Sequence, residues 1–268
     1  MKNLFLLRSL LPSTLLVLSG SLSAQQFELA RTNHLVKSQL IEHAGFTVSY
    51  NQDTRQPNWV SWELTSDETT GTNKRDGVKF QPDPSILGEN ASTNDYSGSG
   101  WDRGHMAPAG DMRWNQHAME QCFYLSNICP QDKALNAGAW EKLETRCRVL
   151  ARQNVRVWIC CGPIFGPTPA TIGQNNVPIP ESFFKVICMK SKSHGNSEYF
   201  YHALGFILPN KVENDAQTGK PKPFWDYSCP VDSVEAVTGH DFFFNLPDPI
   251  EQYIERLPEE AGVWRDKK

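Results

Sequence analysis

Several patterns that would identify a protein class at once are missing from this 268-residue sequence. There is no pair of Cys-x-x-Cys motifs, which argues against a zinc ribbon, and no internal repeat or low-complexity linker divides the chain. Beyond residue 24 no apolar run is long enough to span a bilayer. We therefore expect no stable membrane association.

Positive charge is also scarce. The chain has 26 Lys and Arg residues against 30 Asp and Glu residues, a formal net charge of −4. The first 24 residues contain Lys2, Arg8 and no acid, so the remainder carries 24 basic against 30 acidic residues, a formal −6. This balance repels phosphate at long range and argues against tight, non-specific storage of nucleic acid. It leaves room for a local basic cleft.

The first 24 residues have the pattern of an export signal. A short basic start is followed by an apolar stretch to Leu18 and by the small residues of Ser21–Ala24. A mitochondrial transit peptide is the alternative, because the segment contains Arg and Ser and no acid. The continuous apolar stretch favours export, to a periplasm or out of the cell. We predict a signal peptide at 1–24 and a single domain at 25–268.

All seven cysteines lie after this segment. An oxidising compartment permits disulfides, but an odd count leaves at least one thiol free or paired with another chain. Cys160 and Cys161 sit in the apolar run 155–162, which is typical of a buried strand. We interpret these two as small buried hydrophobic residues.

The patterning predicts both strands and helices. Aromatic and β-branched runs predict strands at 46–50, 59–64, 155–161, 184–190 and 198–207. Helices are expected at about 132–153, 233–239 and 249–256, and residues 66–100 are expected to form a long loop. Strands with helices inserted in long connections favour an α+β fold over regular βαβ alternation.

The segment from Trp101 to Asp111 is chemically the richest. His105 is the side chain best suited to move protons near neutral pH, and Arg103 can fork onto carboxylate or phosphate oxygens. Gly104 between them allows a tight bend or a close approach. An imidazole beside an arginine suggests chemistry on an anion. A solvated surface turn is the alternative. The four residues Asp102–His105 do not by themselves decide between the two interpretations.

One face of the predicted helix 132–153 mixes polar and apolar side chains. At 100° per residue the face holds Asn136, Trp140, Leu143, Glu144 and Cys147. A face directed at the core does not bury an amide and a carboxylate without partners, and a hydrated cation satisfies both. The alternative is that Asn136 caps the helix and Glu144 lies at the solvent boundary. The helical pattern alone leaves both interpretations open.

Three ordered motifs together resemble one family. They are Asp102–His105, Ser126–Gln131, and the spaced set Asn136, Trp140, Leu143 and Glu144. The chain is similar to the DNA/RNA non-specific endonuclease family, which includes endonuclease G and secreted bacterial nucleases, over about residues 46–247. The resemblance implies an α+β fold: a mixed, mainly antiparallel sheet with flanking helices and a ββα-metal active-site motif.

The resemblance also implies roles for individual residues. His105 matches the general base that takes a proton from the attacking water. Asn136 matches the direct protein ligand of a Mg²⁺ ion, and Glu144 matches the helix carboxylate that holds the water shell of the metal. Phosphate contacts are implied for Arg75, Arg103 and Arg148. Asn127 and Gln131 match positions that support the site, and we assign them to substrate binding.

The implied function is an exported endonuclease that depends on Mg²⁺, or on another divalent cation such as Mn²⁺. It would hydrolyse DNA, RNA or both and leave 5′-phosphate ends, and a homodimer is the state often found in the family. A catalytically quiet nucleic-acid-binding protein on the same scaffold is the main alternative. A Cys–His hydrolase is a third, although the sequence has no local nucleophile motif for it.

Other polar and aromatic residues are given structural roles. Asp102 and Asp111 flank the first motif, and we expect them to fix the loop or to pair with Arg103 rather than bind metal. A solvated face, with a substrate groove as the alternative, is expected at Lys185, Lys190 and Lys192. Core positions are expected at Trp59, Trp62 and Trp158.

Overall fold

The computed structural model describes residues 26–192, 199–259 and 261–265. The predicted signal peptide, 1–24, lies outside these residues. In the described part of the chain no helix combines the length and the apolar character that a membrane crossing requires.

The paired strands of the described residues are antiparallel. In chain order they are β1 (Ala30–Arg31), β2 (Gln39–Glu42), β3 (Thr47–Asn51), β4 (Gln56–Leu64), β5 (Asp102–His105), β6 (Ile128–Gln131), β7 (Arg156–Ile164), β8 (Thr171–Ile172), β9 (Val177–Pro178), β10 (Ser182–Lys192), β11 (Tyr199–Pro209), β12 (Ser228–Cys229) and β13 (Asp241–Phe242).

Short helices and one longer helix connect the strands. They are α1 (Thr93–Tyr96), α2 (Gln116–Gln121), α3 (Lys133–Leu135), α4 (Glu141–Gln153), α5 (Val231–Thr238), α6 (Asp248–Ile254) and α7 (Ala261–Trp264). A π-type turn, Asn136–Trp140, joins α3 to α4. Single 3₁₀ turns lie at Asp67–Thr70, Ala109–Asp111, Leu125–Asn127 and Phe224–Tyr227.

Seven of the described strands form one central sheet. Their order is β12-β11-β10-β7-β4-β3-β2, and every neighbouring pair is antiparallel. The five predicted strands all lie in this sheet, and residue 198 of the last prediction falls outside the described residues. The fold is therefore α+β with a mainly antiparallel sheet and flanking helices, as predicted.

Both faces of the central sheet are covered by packed hydrophobic side chains. Along β10, Phe183 and Ile187 pack into the core that includes α4, whereas Phe184 and Val186 pack into a second core with residues of α5 and α6. The alternation of side chains on β10 thus separates the protein into two layers. The first layer carries the ββα unit, and the second carries α5, α6 and β13.

The ββα unit consists of β5, β6 and the helical segment that follows. The two strands are antiparallel, with Gly104 opposite Cys129 and Asp102 opposite Gln131. A side chain at position 104 would collide with the Gln131 side chain, so only glycine allows this approach. The glycine between Arg103 and His105 therefore serves close packing of the hairpin.

The predicted helix 132–153 is interrupted. Asp132 begins it, since its Oδ1 accepts hydrogen bonds from the backbone amides of Ala134 (2.9 Å) and Leu135 (3.1 Å). Gly138 then leaves the helical region (φ −122°, ψ −106°) inside the π-type turn. The single-helix prediction is wrong there, because a wider turn containing a non-helical residue breaks the spacing of 100° per residue.

The tryptophan and cysteine predictions hold. Trp59, Trp62 and Trp158 are each 2% exposed, and Cys160 and Cys161 are fully buried in β7. All seven cysteines lie in the described residues, and none forms a disulfide.

Candidate active site

Six of the predicted site residues meet in one cleft beside the ββα unit. Its volume is about 260 Å³. The lining residues are Arg75, Arg103, His105, Pro108, Ala109, Gly110, Asn136, Glu141, Glu144 and Arg148. The residues of the β5 motif, of the π-type turn and of α4 are thus brought together. Glu141 is an additional acidic group that the sequence analysis did not single out.

The His105 ring lies at the end of β5 between two phenylalanines. The ring centres of Phe80 and Phe123 are 5.4 Å and 4.8 Å away. Its backbone carbonyl accepts a hydrogen bond from Trp140 Nε1 (3.2 Å), which ties the strand to the helical segment. Burial, aided by the charge of Arg75, lowers the pKa of His105 to about 3. The imidazole is therefore neutral at physiological pH.

Asn127 fixes the backbone that directly follows β5, the strand that ends at His105. It is fully buried, and its Nδ2 donates to the carbonyls of Ala107 (2.9 Å) and Cys122 (2.8 Å). Its Oδ1 accepts from the Ala107 amide (2.9 Å). With both amide atoms engaged and no surface exposed, Asn127 has nothing to offer a substrate. The geometry replaces the predicted substrate contact with a positioning role.

Gln131 is also fully buried and does not line the cleft. Its side chain lies against Gly104, two residues along β5 from Asp102, the residue directly opposite Gln131. Within the described residues neither its Nε2 nor its Oε1 has a hydrogen-bond partner. Gln131 therefore supports the hairpin under Arg103 and His105, and the predicted contact with substrate is corrected as well.

Asn136 lines the cleft. Its Nδ2 donates to Asp102 Oδ2 (3.0 Å), and no described residue donates a hydrogen bond to its Oδ1. The capping interpretation of Asn136 is wrong, because Asp132 caps the segment. Asp102 instead orients the amide so that the oxygen, a good ligand for a hard cation, is the free atom.

Glu144 lines the same cleft from the first turn of α4. Burial, together with the nearby Asp111 charge, raises the pKa of Glu144 to about 7, although Lys185 and Arg148 oppose the rise. A neutral amide oxygen and a half-buried carboxylate beside polar space form an all-oxygen donor set. This set fits Mg²⁺, which takes few protein ligands and retains several waters.

Each of the three arginines in the cleft is held by the protein. Arg103 donates to the Thr93 carbonyl (3.0 Å) and lies 5.3 Å from the ring centre of Phe80. Arg75 lies 5.3 Å from the ring centre of Phe123. Arg148 forms an ion pair with Asp111 (2.8 Å). These guanidinium groups make a local basic cleft in an acidic chain, and held guanidiniums suit bidentate binding of phosphate.

Asp111 pairs with Arg148 and not with Arg103, so of its two expected roles, fixing the loop or pairing with Arg103, the second is wrong. The carboxylate is completely buried, with Oδ1 on Arg148 Nη1 (2.8 Å) and Oδ2 on Trp62 Nε1 (3.0 Å). The partners are 37 and 49 residues away in the sequence, so local spacing carried no sign of either contact.

We expect Asp111→Ala to lower the free energy of unfolding by about 3 kcal/mol, because it leaves Arg148 and the Trp62 N–H without their acceptor. Urea denaturation measures this loss. The matched control is Asp53→Ala, which removes the exposed ion pair with Lys37 (61% and 70% exposed, respectively) and should cost less than about 1 kcal/mol. Equal losses in the two variants would contradict the anchoring role.

Lys185 was expected on a solvated face or in a substrate groove, and both expectations are wrong. It is fully buried, with Nζ 4.3 Å from the ring centre of Trp140 and 5.0 Å from that of Trp62. Burial lowers its pKa, but nearby acidic groups, including the Glu144 carboxylate, raise it above its ordinary value overall. Strand β10 is buried on both faces, so no polar alternation distinguished this lysine.

The thiols near the cleft do not support a Cys–His hydrolase. Burial raises the pKa of Cys122 and Cys147 to about 12 and that of Cys161 to about 11. A thiol needs to ionise near neutral pH to act as a nucleophile. Among the described residues that line the cleft there is no cysteine.

Comparison with known proteins agrees with this geometry. Residues 27–249 match the family described as DNA/RNA non-specific endonuclease. The chain is 34% identical over 230 residues to mitochondrial endonuclease G of Bos taurus, covering 82% of this chain and 74% of that protein. It is 37% identical over 219 residues to mitochondrial nuclease EXOG of Xenopus laevis, covering 78% of this chain and 58% of that protein. The chain thus spans less than two thirds of the Xenopus relative.

A solved structure gives the same result. A chain in the crystal structure of the EndoG/EndoGI complex matches with a TM-score of 0.72 and 31% sequence identity. The match covers 80% of this chain and 89% of that one. With the family match extending over most of the sequence, this chain belongs to the DNA/RNA non-specific endonuclease family.

Proposed function

We propose that this protein is a Mg²⁺-dependent endonuclease that hydrolyses phosphodiester bonds of DNA, RNA or both and leaves 5′-phosphate ends. One observation carries the proposal. A neutral imidazole, an oxygen donor pair and three guanidinium groups line a single cleft. Phosphodiester hydrolysis needs these three functions together: a proton acceptor for water, a cation site and neutralisation of the phosphate.

His105 acts as the general base. Burial and the charge of Arg75 lower its pKa, so the ring is unprotonated at neutral pH. The unprotonated ring is the form that accepts a proton from the attacking water. Phe80 and Phe123 hold the ring plane, and Trp140 holds the backbone carbonyl. The ring therefore meets the substrate with little loss of rotational freedom.

Asn136 Oδ1 and the Glu144 carboxylate would hold the cation, with Asn136 as the direct ligand and Glu144 through the water shell. When bound, Mg²⁺ neutralises phosphate charge and makes a bound water a better proton donor to the leaving 3′ oxygen. Asp102 fixes the amide of Asn136. Burial raises the pKa of Glu144, so a nearby cation would stabilise the charged form of its carboxyl group.

Arg75, Arg103 and Arg148 bind the non-bridging oxygens of the phosphate. Contacts to phosphate position a nucleic acid but carry no sequence information. None of the described residues lining the cleft is a Phe, Tyr or Trp, so no such stacking platform for a base is present there. These features support cleavage without base preference.

Export belongs to the proposal, on the pattern of residues 1–24. The relatives named above are mitochondrial proteins, so a transit peptide is the competing assignment. The mature chain is proposed to form a homodimer, as the resemblance implies. Expression of the full chain, fractionation, and sequencing of the mature N-terminus decide between the two targeting signals.

Incubation of the purified protein with supercoiled plasmid and with RNA, in Mg²⁺ or in EDTA, tests the activity. We expect cleavage with Mg²⁺ and none with EDTA, and 5′-phosphate ends that a ligase accepts. Binding without cleavage under both conditions would favour the catalytically quiet alternative. Metal-independent ester or peptide hydrolysis would overturn the nuclease proposal.

A further inference from the structure

A group of three carboxylates lies in the second layer of the protein, beyond the central sheet from the cleft. Asp232 and Glu235 belong to α5, and Glu255 directly follows α6. Apolar residues of these helices, including Val234 and Ile254, pack into the core on that face of the sheet. The group is therefore separate from the cleft, and its properties do not depend on the proposed nuclease function.

The three side chains converge at one point. Each offers one carboxylate oxygen, and these oxygens all lie within 4.8 Å of one another. The backbone amide of Asp232 donates to the Glu255 carbonyl (3.2 Å), which holds the start of α5 against the end of α6. Glu235 Oε1 accepts from the Phe242 amide (2.8 Å), which fixes the third carboxylate.

Glu255 differs from the acidic residues of an ordinary surface patch because its side chain is buried. It is only 5% exposed, and its buried Oε1 has no hydrogen-bond partner among the described residues. A buried carboxylate oxygen without a partner costs stability unless a proton or a cation compensates it. The carboxylates of Asp232 and Glu235 lie close to it, and repulsion between like charges increases this cost in stability.

No described cation is paired with any of the three. The neighbouring Asp241 has Arg31 as its partner (2.9 Å), but none of the ion pairs of the described residues includes Asp232, Glu235 or Glu255. Burial, followed by the surrounding carboxylates, raises the pKa of Glu255 to about 9, and burial foremost raises the pKa of Glu235 to about 7. In its fully ionised form the group therefore has no compensating positive charge among the described residues, and burial favours a bound proton or cation.

The chemistry of the three oxygen atoms indicates which class of cation the group would bind. All three donors are carboxylate oxygens, and no His or Cys belongs to the group, which argues against zinc and other softer metals. Ca²⁺ binds oxygens at about 2.3–2.6 Å, so two oxygens on opposite sides of it lie about 5 Å apart. Mg²⁺ is usually held by one or two carboxylates and keeps several waters, so three converging carboxylates favour Ca²⁺. The exposed Asp232 leaves space for the water ligands that Ca²⁺ retains.

We infer that Asp232, Glu235 and Glu255 form a structural calcium site that joins α5 to the end of α6. The bound ion would offset two of the three negative charges and would give the buried Glu255 carboxylate the partner that it lacks. Because the ion binds the folded chain and not the unfolded one, it stabilises the protein in proportion to the logarithm of its concentration.

Thermal unfolding of the purified full chain, first treated with EDTA and dialysed, tests the site. CaCl₂ at about 100 times its Kd should raise the Tm by about 5–10 °C, and the same concentration of MgCl₂ should raise it less. Isothermal titration with CaCl₂ should show a binding site that Glu255→Gln removes. This substitution keeps the shape of the side chain, removes its charge and should abolish the calcium-dependent rise in Tm.

Two further variants separate this site from other metal binding. Asp248→Asn changes an exposed acid on α6 outside the group and should keep the full calcium response. Asn136→Ala, in the cleft, should also keep it. If Glu255→Gln does not fold, the exposed Asp232→Asn replaces it. A calcium response that persists in both Glu255→Gln and Asp232→Asn, or no response in the unaltered protein, would overturn the inference in favour of a carboxylate group that shares protons.

Discussion

His105→Ala should reduce cleavage of plasmid by about 10²- to 10⁴-fold, which is the usual contribution of a general base. The unprotonated ring, with a pKa of about 3, is the proton acceptor in the proposed reaction, and alanine offers no replacement. The loss should appear in kcat and not in binding of the nucleic acid, because the arginines of the cleft remain. Initial rates at saturating substrate, with binding measured in EDTA, separate the two quantities.

The fold should survive this substitution. Asn127 holds the backbone after position 105 through contacts with Ala107, so the strand does not depend on the imidazole. Circular dichroism and Tm check this point. His117→Ala, at an exposed position on α2, is the matched control and should retain full activity. Near-complete cleavage by a folded His105→Ala protein would remove His105 from the mechanism.

Asn136→Ala should weaken binding of the catalytic cation by about 100-fold or more. The substitution deletes the free amide oxygen of the side chain that Asp102 orients. Because Glu144 remains, we expect high Mg²⁺ concentrations to restore part of the activity. The Mg²⁺ concentration at half-maximal cleavage measures the effect in the reaction, and titration with Mn²⁺, followed by electron paramagnetic resonance, measures it directly.

The control for Asn136→Ala is an amide outside the cleft. Gln116→Ala removes an exposed side chain that donates to Glu120 on the same helix, and it should leave Mn²⁺ affinity unchanged. Asp102→Ala should give an intermediate loss of about 10-fold, because it frees the orientation of Asn136 without removing the ligand. An unchanged Mn²⁺ affinity in Asn136→Ala would exclude Asn136 as a ligand.

Local patterns predicted the central sheet and the position of the motif around His105 well. The apolar and aromatic runs that became β3, β4, β7, β10 and β11 are visible without tertiary information. The same holds for His105 and Arg103, whose chemistry is a property of their side chains. The helix after Pro130 was predicted at almost the correct bounds, but the π-type turn around Gly138 was not. That turn carries Trp140, whose indole bonds to the carbonyl of His105, a tertiary contact that local spacing does not report.

Burial decided the roles that the sequence analysis assigned wrongly. Asn127 and Gln131 stand beside the His105 strand, yet both face into the protein. Lys185 carries a charge but lies between two tryptophans, near the helix that bears Glu144. One-dimensional spacing does not report which face of a doubly buried strand a polar residue occupies, since both faces of such a strand are apolar.

The sequence by itself determined the family, the strands of the sheet and the candidates for proton acceptor and cation ligands, because each depends on residue type over short separations. Only the tertiary structure decided which polar groups reach the cleft and which support it from within. Asp111 meets Arg148, Asp102 meets Asn136, and Glu255 meets two acids of α5. The residues in each contact lie far apart along the chain, so the contacts exist only because of how the whole chain packs.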